Sequence, residues 1–535
     1  MTAGTVVVVG SGASGVALSL SLLERGRKVL MLDVGREVPR AEHPDAGFPA
    51  WRRTLADPAE ILLGRSGEAL VLPDNDGEYY GFPPGKQVIF EGLEGFDWVA
   101  EGFAPLLSFA RGGLAEAWTG GSYAFTAEEL EGFPFPSGEM GEAYEAVAAE
   151  IGISGALDDL MDVFPHPVDP LPPVEADAHT ARLLARYEAA RETFRRKESC
   201  VLGRARLALL TRDRGERSAC TRLGRCLWGC PRGALYTPSL GWTRCVERDG
   251  FTYRAGVRVL RVEASDGGRV RRLHLRPVSG GAEEHLDVET VVLAAGTLAT
   301  ADIVLRSVGD GGVDRLAGLM DNRQVLVPFV SPRLLGKGFD PESYQYHQLA
   351  MVIEPGGGER QIHGLITTLK TAMIHPVVQS LPLGLKGAVR IFRDIHGALG
   401  LVNVNFADTR RDESFVALED VGGTTILRVH YEPPPIERTR LPAGLRRVRR
   451  ILRKLGAFAP RSMAHVRPMG ASVHYAGTLP YSATGGDLTL DAAGRLRPFQ
   501  NLYVADGSAL PSLPSKNLTY TLMANAWRLG WVLGD

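Results

Sequence analysis

Hydrophobic positions in this chain follow two periods, and the first forty residues show both. Thr5-Val6-Val7-Val8-Val9 is an unbroken, largely β-branched run, the pattern of a strand buried on both faces in a parallel sheet. It passes into Gly10-x-Gly12-x-x-Gly15, after which Val16-Ala17-Leu18-Ser19-Leu20-Ser21-Leu22-Leu23 predicts a helix stopped by Gly26. A second strand, Lys28–Leu32, delivers Asp33 roughly 20 residues beyond the turn. Further along, Arg323–Val330 and Thr425–Tyr431 alternate as strands of a second, mostly antiparallel sheet. Pro328 cannot donate to a ladder, which places the first of these at an edge or a bulge. Ala176–Arg196 predicts a flanking helix with Leu183, Leu184 and Tyr187 on one face. Leu445, Val448, Ile451 and Leu452 alternate with Arg446, Arg447, Arg449, Arg450, Arg453 and Lys454, as in an amphipathic helix with its charges solvated. A docking surface for an anionic partner is the weaker reading of that stripe.

Length and composition narrow the classes. At 535 residues the chain exceeds one simple core. Its 44% hydrophobic and 23% charged residues are those of a globular protein. With 60 basic against 62 acidic residues, nothing global points to nucleic acid or an anionic membrane. No run reaches the roughly 18–20 apolar residues of a membrane span. The run at Val6 has no basic leader and ends in glycines instead of a cleavage site, so a cytoplasmic location is expected. Five cysteines make no disulfide scaffold.

The glycine turn carries the first chemistry. Gly10 permits the tight turn, Gly12 lets backbone approach a diphosphate, and Gly15 lets helix and strand pack closely. The helix N-terminus offers free N–H groups to the phosphates at Ala13 and Ser14, and Asp33 is in register for a ribose hydroxyl. The turn alone does not decide between FAD and NAD. Its N-terminal position, with Asp33-Val34-Gly35-Arg36-Glu37 directly after the strand, favours FAD.

The C-terminal end carries a resemblance. Asn501-Leu502-Tyr503-Val504-Ala505-Asp506-Gly507-Ser508-Ala509-Leu510-Pro511 and the following Asn517–Ala526 helix resemble the flavin-contacting end of glucose–methanol–choline (GMC) oxidoreductases. His474-Tyr475-Ala476-Gly477-Thr478 resembles that family's H-x-x-G-T element, and the pieces occur in the family's order. Ala110–Gly121 resembles the glycine-rich flavin-facing loop of a branch containing pyranose oxidases and related sugar dehydrogenases. Within it Arg111, Gly112, Gly113, Trp118, Thr119, Gly120 and Gly121 are the expected cofactor contacts. Ala117 stands where some of those proteins bond a histidine to the flavin, so the resemblance implies non-covalent FAD. Val291–Thr297 looks like the strand and turn returning to the flavin, with Ala295 and Gly296 in contact. The strand Gly256–Leu260 would meet the adenine through Val259. Asp506, Gly507, Asn517, Leu518 and Thr519 complete the expected cofactor site.

What the resemblance implies is an α/β protein: a Rossmann-like FAD-binding domain and a substrate domain on a mostly antiparallel sheet. The FAD domain would comprise 1–125, 216–305 and 466–535, and the substrate domain 126–215 and 306–465. His474 would be the catalytic base, since imidazole titrates near neutrality. Asn517 cannot take a proton but would hydrogen-bond and orient the substrate oxygen. The implied reaction is oxidation of a CH–OH group in a sugar-like or secondary-metabolite alcohol by hydride transfer to flavin N5. Oxygen and a carrier remain open as electron acceptors. Leu479-Pro480-Tyr481 departs from the family's usual Gly-Thr-x-x-Met-Gly continuation, which would reshape the substrate edge and motivates desaturation or redox-neutral isomerisation as an alternative. A non-catalytic flavin-binding protein is the other. Cys220-x5-Cys226-x3-Cys230-Pro231 has the wrong spacing for a ferredoxin-type cluster, and zinc would need more paired ligands. A structural role without metal, as in related GMC-like proteins, is expected there, with a metal site and a redox-active pair as the alternatives; nothing places Cys200 and Cys245 nearby. His465 reads as an ordinary strand residue.

Overall fold

The computed structural model describes residues 4–38, 44–67, 78, 82–93, 95–308, 313–354, 356, 360–369, 377–378 and 381–534. Its first sheet is parallel. In chain order its strands are Thr5–Val9, Lys28–Leu32, Phe251–Arg254, Thr290–Leu293 and Leu502–Val504. Numbered one to five, they lie side by side as three-two-one-four-five. The order reverses between the first and fourth strands, and a crevice opens there at their carboxyl ends. Val6, Val7 and Val8 are wholly buried, as a strand covered on both faces requires.

The helix Ala13–Glu24 leaves the first strand and packs along the last helix, Thr519–Gly534. The contact is close because Gly530 leaves room: a Cβ there would sit 2.4 Å from Ser21 Oγ, which donates to Trp527 O at 2.8 Å. The two ends of the chain thus share one core.

The second sheet is antiparallel and six-stranded, in the order His465–Val466, Arg323–Val330, Leu399–Phe406, Ile362–Thr368, Leu349–Ile353, Cys200–Arg204. Its period-two alternation separates two jobs. Val325, Val327, Phe329, Val402, Val404 and Phe406 bury against helices Ala178–Ala189 and Glu437–Lys454. Their neighbours Gln324, Leu326, Leu401 and Asn403 face a cavity shared with the first sheet.

Several expectations change here. Arg323–Val330 is second from the edge, but its outer neighbour covers only Val325 and Leu326, so Pro328 still escapes a continuous ladder on that side. Thr424–His430 does not join this sheet; it pairs in a separate four-stranded sheet with Phe415–Val421 and, in parallel, with Trp98–Glu101. The Ala176–Arg196 helix is two helices, Ala178–Ala189 and Arg191–Glu198, broken at Ala190 and capped by Asp177, whose Oδ1 accepts from Thr180 N at 2.9 Å. The strand at 256–260 is Val257–Ala264, in a three-stranded antiparallel meander. The basic helix buries Leu445, Val448, Ile451 and Leu452, while Arg450 and Lys454 both reach Glu198 at 2.6 Å. No described helix is long and apolar enough to cross a membrane.

Candidate functional site

The crevice opens into a cavity of about 590 Å³ reaching from the glycine turn to the antiparallel sheet. At its first end, Gly10 holds φ +104°, and a Cβ there would stand 2.5 Å from Ala294 O. Gly15 is tighter still, its Cβ position 2.0 Å from Gly10 O. Gly12 differs from both: nothing lies within 4 Å of its Cβ position, and it begins the helix Ala13–Glu24 with no side-chain cap. The helix N–H groups therefore face open space, as an anion would require. Asp33 follows the second strand and bonds to Ser11 Oγ; burial raises its pKa to about 6. Val257 N donates to Asp33 O at 3.1 Å, which brings Val257 and Val259 to the same end of the cavity.

Midway, Asp506 joins the fourth strand's turn to the C-terminal segment. Its Oδ2 accepts from Gly296 N at 2.9 Å and Thr300 Oγ1 at 2.5 Å, and its Oδ1 from Ser508 N at 2.9 Å. Ala117 lines the cavity with only a methyl group to offer.

The loop before His474 hangs on Asp321. This buried carboxylate accepts from Gly470 N at 2.6 Å, His474 N at 3.2 Å and Ser472 Oγ. Between them Val473 holds φ +63°, a left-handed conformation costly for a β-branched residue, so the hydrogen bonds to Asp321 offset local strain. Asn322 then sets the ring. Its Nδ2 donates to Phe406 O at 3.1 Å and Pro514 O at 2.9 Å; both carbonyls only accept, so Oδ1 faces His474 Nδ1 at 2.9 Å. That nitrogen must carry the proton. Nε2 is left with its lone pair toward the cavity, 3.4 Å from Asn517 Nδ2. Burial, followed by the Arg467 charge, pushes the His474 pKa down to about 4. The ring is neutral at pH 7.

Of the residues singled out in the sequence, Gly10, Gly12, Ala13, Ser14, Asp33, Gly112, Gly113, Trp118, Thr119 and Gly121 line this one cavity. So do Val259, Ala295, Gly296, His474, Asp506, Gly507, Asn517, Leu518 and Thr519. Gly15, Arg111 and Gly120 do not. Gly15 is a packing residue beneath the turn, and a Cβ on Gly120 would meet Leu235 at 2.6 Å. Arg111 turns away to stack on Trp242, 4.3 Å from its ring, and to pair with Glu37 at 3.3 Å. Leu479 and Tyr481 are also outside the lining: both are buried, and the Tyr481 hydroxyl donates to Asn525 Oδ1 at 2.9 Å. The reshaped substrate edge expected from Leu479-Pro480-Tyr481 is therefore absent from the described cavity.

Cys220, Cys226 and Cys230 are free thiols packed around Leu207, Leu209 and Tyr344, with Cys226 pushed up to about 12 by burial. Cys200 and Cys245 lie in other cores. His465 is an exposed strand residue whose Nε2 meets Glu78 at 2.8 Å. Unforeseen were Asn322, which no pattern in the sequence marks, and His347, a buried imidazole lining the cavity just before the strand Leu349–Ile353.

The family model described as GMC oxidoreductase matches residues 411–526. The 6'''-hydroxyparomomycin C oxidase of Streptomyces lividus is 24% identical across 98% of this chain and 90% of its own length. Paromamine 6'-oxidase of Streptomyces fradiae is 25% identical over the same shares. A 2-methyl-1,2-propanediol dehydrogenase of Mycolicibacterium austroafricanum is 25% identical over 98% of this chain and 94% of that protein. The crystal structure of pyridoxine 4-oxidase from Mesorbium loti shares the fold, with TM-score 0.58 and 17% identity over 98% of both chains. Residues 411–526 thus carry the C-terminal domain of GMC oxidoreductases, and the chain is similar from end to end to two oxidases and a dehydrogenase.

Proposed function

We propose that the protein binds FAD non-covalently and oxidises a CH–OH group of a sugar-like or secondary-metabolite alcohol. The family generally binds FAD, and the residues present fit that group. The uncapped N-terminus at Gly12, with open space where a Cβ would be, suits a diphosphate. Ala117 offers no atom for a covalent link to the cofactor. When bound, FAD supplies the acceptor for the hydride.

The chain supplies the rest. His474 Nε2, unprotonated and aimed into the cavity, takes the hydroxyl proton once the substrate oxygen enters between it and Asn517. Asn517 Nδ2 donates to the same oxygen and holds the carbon in place. As the proton leaves, the C–H bond breaks with its electron pair and CH–OH becomes C=O. Asn322 keeps Nε2 the basic nitrogen throughout. The observation that carries the reading is this tautomer lock, at the opposite end of one cavity from an anion-ready glycine turn. Relatives named for paromamine and for 2-methyl-1,2-propanediol act on compounds that carry hydroxyl groups. The electron acceptor that follows is oxygen or a carrier.

The test is the visible spectrum. The purified or reconstituted protein is expected to be yellow, and anaerobic mixing with a secondary-alcohol panel should bleach the flavin band and yield a ketone. A preparation that stays colourless after reconstitution overturns the proposal. Turnover without net oxidation would favour isomerisation instead.

A further inference from the structure

Two buried polar atoms beside the proposed base have no hydrogen-bond partner: His347 Nε2 and Asn517 Oδ1. His347 is 3% exposed and comes from the antiparallel side of the molecule, just before the strand Leu349–Ile353. Both atoms converge above Gly121, where a Cβ would lie 3.1 Å from Asn517 Oδ1 and 3.2 Å from His347 Nε2. The missing side chain keeps a gap between them, and all three residues line the cavity. A buried acceptor and a buried imidazole nitrogen left unsatisfied each cost free energy. The gap is thus built for a ligand atom that pairs with both.

We infer that His347 Nε2 and Asn517 Oδ1 form a subsite for a second hydroxyl on the carbon next to the one oxidised, so that the preferred substrate is a vicinal diol. The inference rests on the proposed function for the identity of the reacting carbon. With the His347 proton on Nε2, a hydroxyl is the group that fits: it accepts from that N–H and donates to the carboxamide oxygen, which satisfies both orphans. The spacing follows from Asn517 itself. Its Nδ2 serves the reacting oxygen beside His474, and its Oδ1, across the same planar carboxamide, serves the neighbour. Two oxygens on adjacent carbons span that width. His347 is neutral, because burial pushes its pKa down to about 3, so it provides one N–H and no charge. An ammonium in the gap would be desolvated in a cavity that already holds the Arg467 guanidinium, which disfavours an amino group there.

The experiment compares trans-cyclohexane-1,2-diol, cyclohexanol and trans-2-aminocyclohexanol on the full chain. Binding is read from quenching of tryptophan fluorescence, since Trp118 lines the cavity, and turnover from anaerobic flavin bleaching. The diol is expected to bind at least about tenfold more tightly than either analogue, because a site built for a hydroxyl rejects a ligand that lacks it. In His347→Leu that preference should fall to within about threefold, and His347→Gln, which restores an N–H, should recover part of it. Melting curves on both variants report folding, and the wild-type ratio alone decides the matter if either fails to fold. Equal affinity for the diol and cyclohexanol, preference for the amino alcohol, no binding of any of the three, or an equal loss for all three in folded His347→Leu would each overturn the subsite. A colourless protein that still prefers the diol by fluorescence would instead overturn the redox reading while keeping the subsite.

Discussion

His474→Ala is expected to lower kcat/KM for alcohol oxidation by about 10²–10⁴-fold, the usual contribution of a positioned general base. Flavin absorbance should persist, since the turn around Gly12 that is proposed to hold the diphosphate lies at the other end of the cavity. The pH dependence gives an independent readout. His474 must be unprotonated to act, and its pKa lies near 4 instead of 6.5. Wild-type kcat/KM should therefore stay level as pH falls through 6.5 and drop only as it approaches about 4. Asn322→Leu removes the acceptor that holds the proton on Nδ1. The ring can then turn or change tautomer, and kcat should fall by roughly tenfold or more while flavin is retained. An effect of less than about tenfold for His474→Ala would remove the base role assigned to that residue.

The second large effect separates two glycines three residues apart. Gly15→Ala forces a Cβ to within 2.0 Å of Gly10 O, a backbone atom that cannot step aside. It should cost about 3 kcal/mol of stability, seen as a lower urea midpoint, and should also weaken FAD binding. Gly12→Ala meets no protein atom within 4 Å, and φ −65° suits alanine. Its stability should change by no more than about 1 kcal/mol, the scale of an N-cap substitution. Its new methyl nevertheless enters the space assigned to the diphosphate, so FAD affinity should fall by roughly 10–100-fold. Equal FAD affinity in wild type and Gly12→Ala would mean that no diphosphate sits on this turn.

The legible parts of this protein are those whose physics is local. A β-branched run, a glycine turn, a helix and an acid within 33 positions specify one strand–helix–strand unit, and the structure has it at Thr5–Leu32 with Asp33 beside Ser11. The amphipathic pattern at Leu445–Lys454 also folds as read, because period and burial are properties of a single segment. Sheet membership was not legible. Thr424–His430 alternates like the strands of the six-stranded sheet, yet it pairs with Trp98–Glu101 more than 300 positions away. Nothing within a strand records which distant partner will take its edge. Arg111 is a related case: residues of its loop line the cavity, but its own side chain is captured by Trp242 from another segment.

The same division runs through the candidate site. The resemblance to the GMC family nominated His474 and Asn517, while the glycine spacing and the helix terminus, which act over a few residues, marked where backbone leaves room for an anion. The protonated nitrogen of His474 was settled only by folding, through Asn322 at a separation of 152 residues. Folding likewise brought His347 to the gap above Gly121 and left Tyr481 in the core. Hydrogen-bond direction and burial depend on which groups meet in space, and those meetings are made by sheets and helices that close over hundreds of residues.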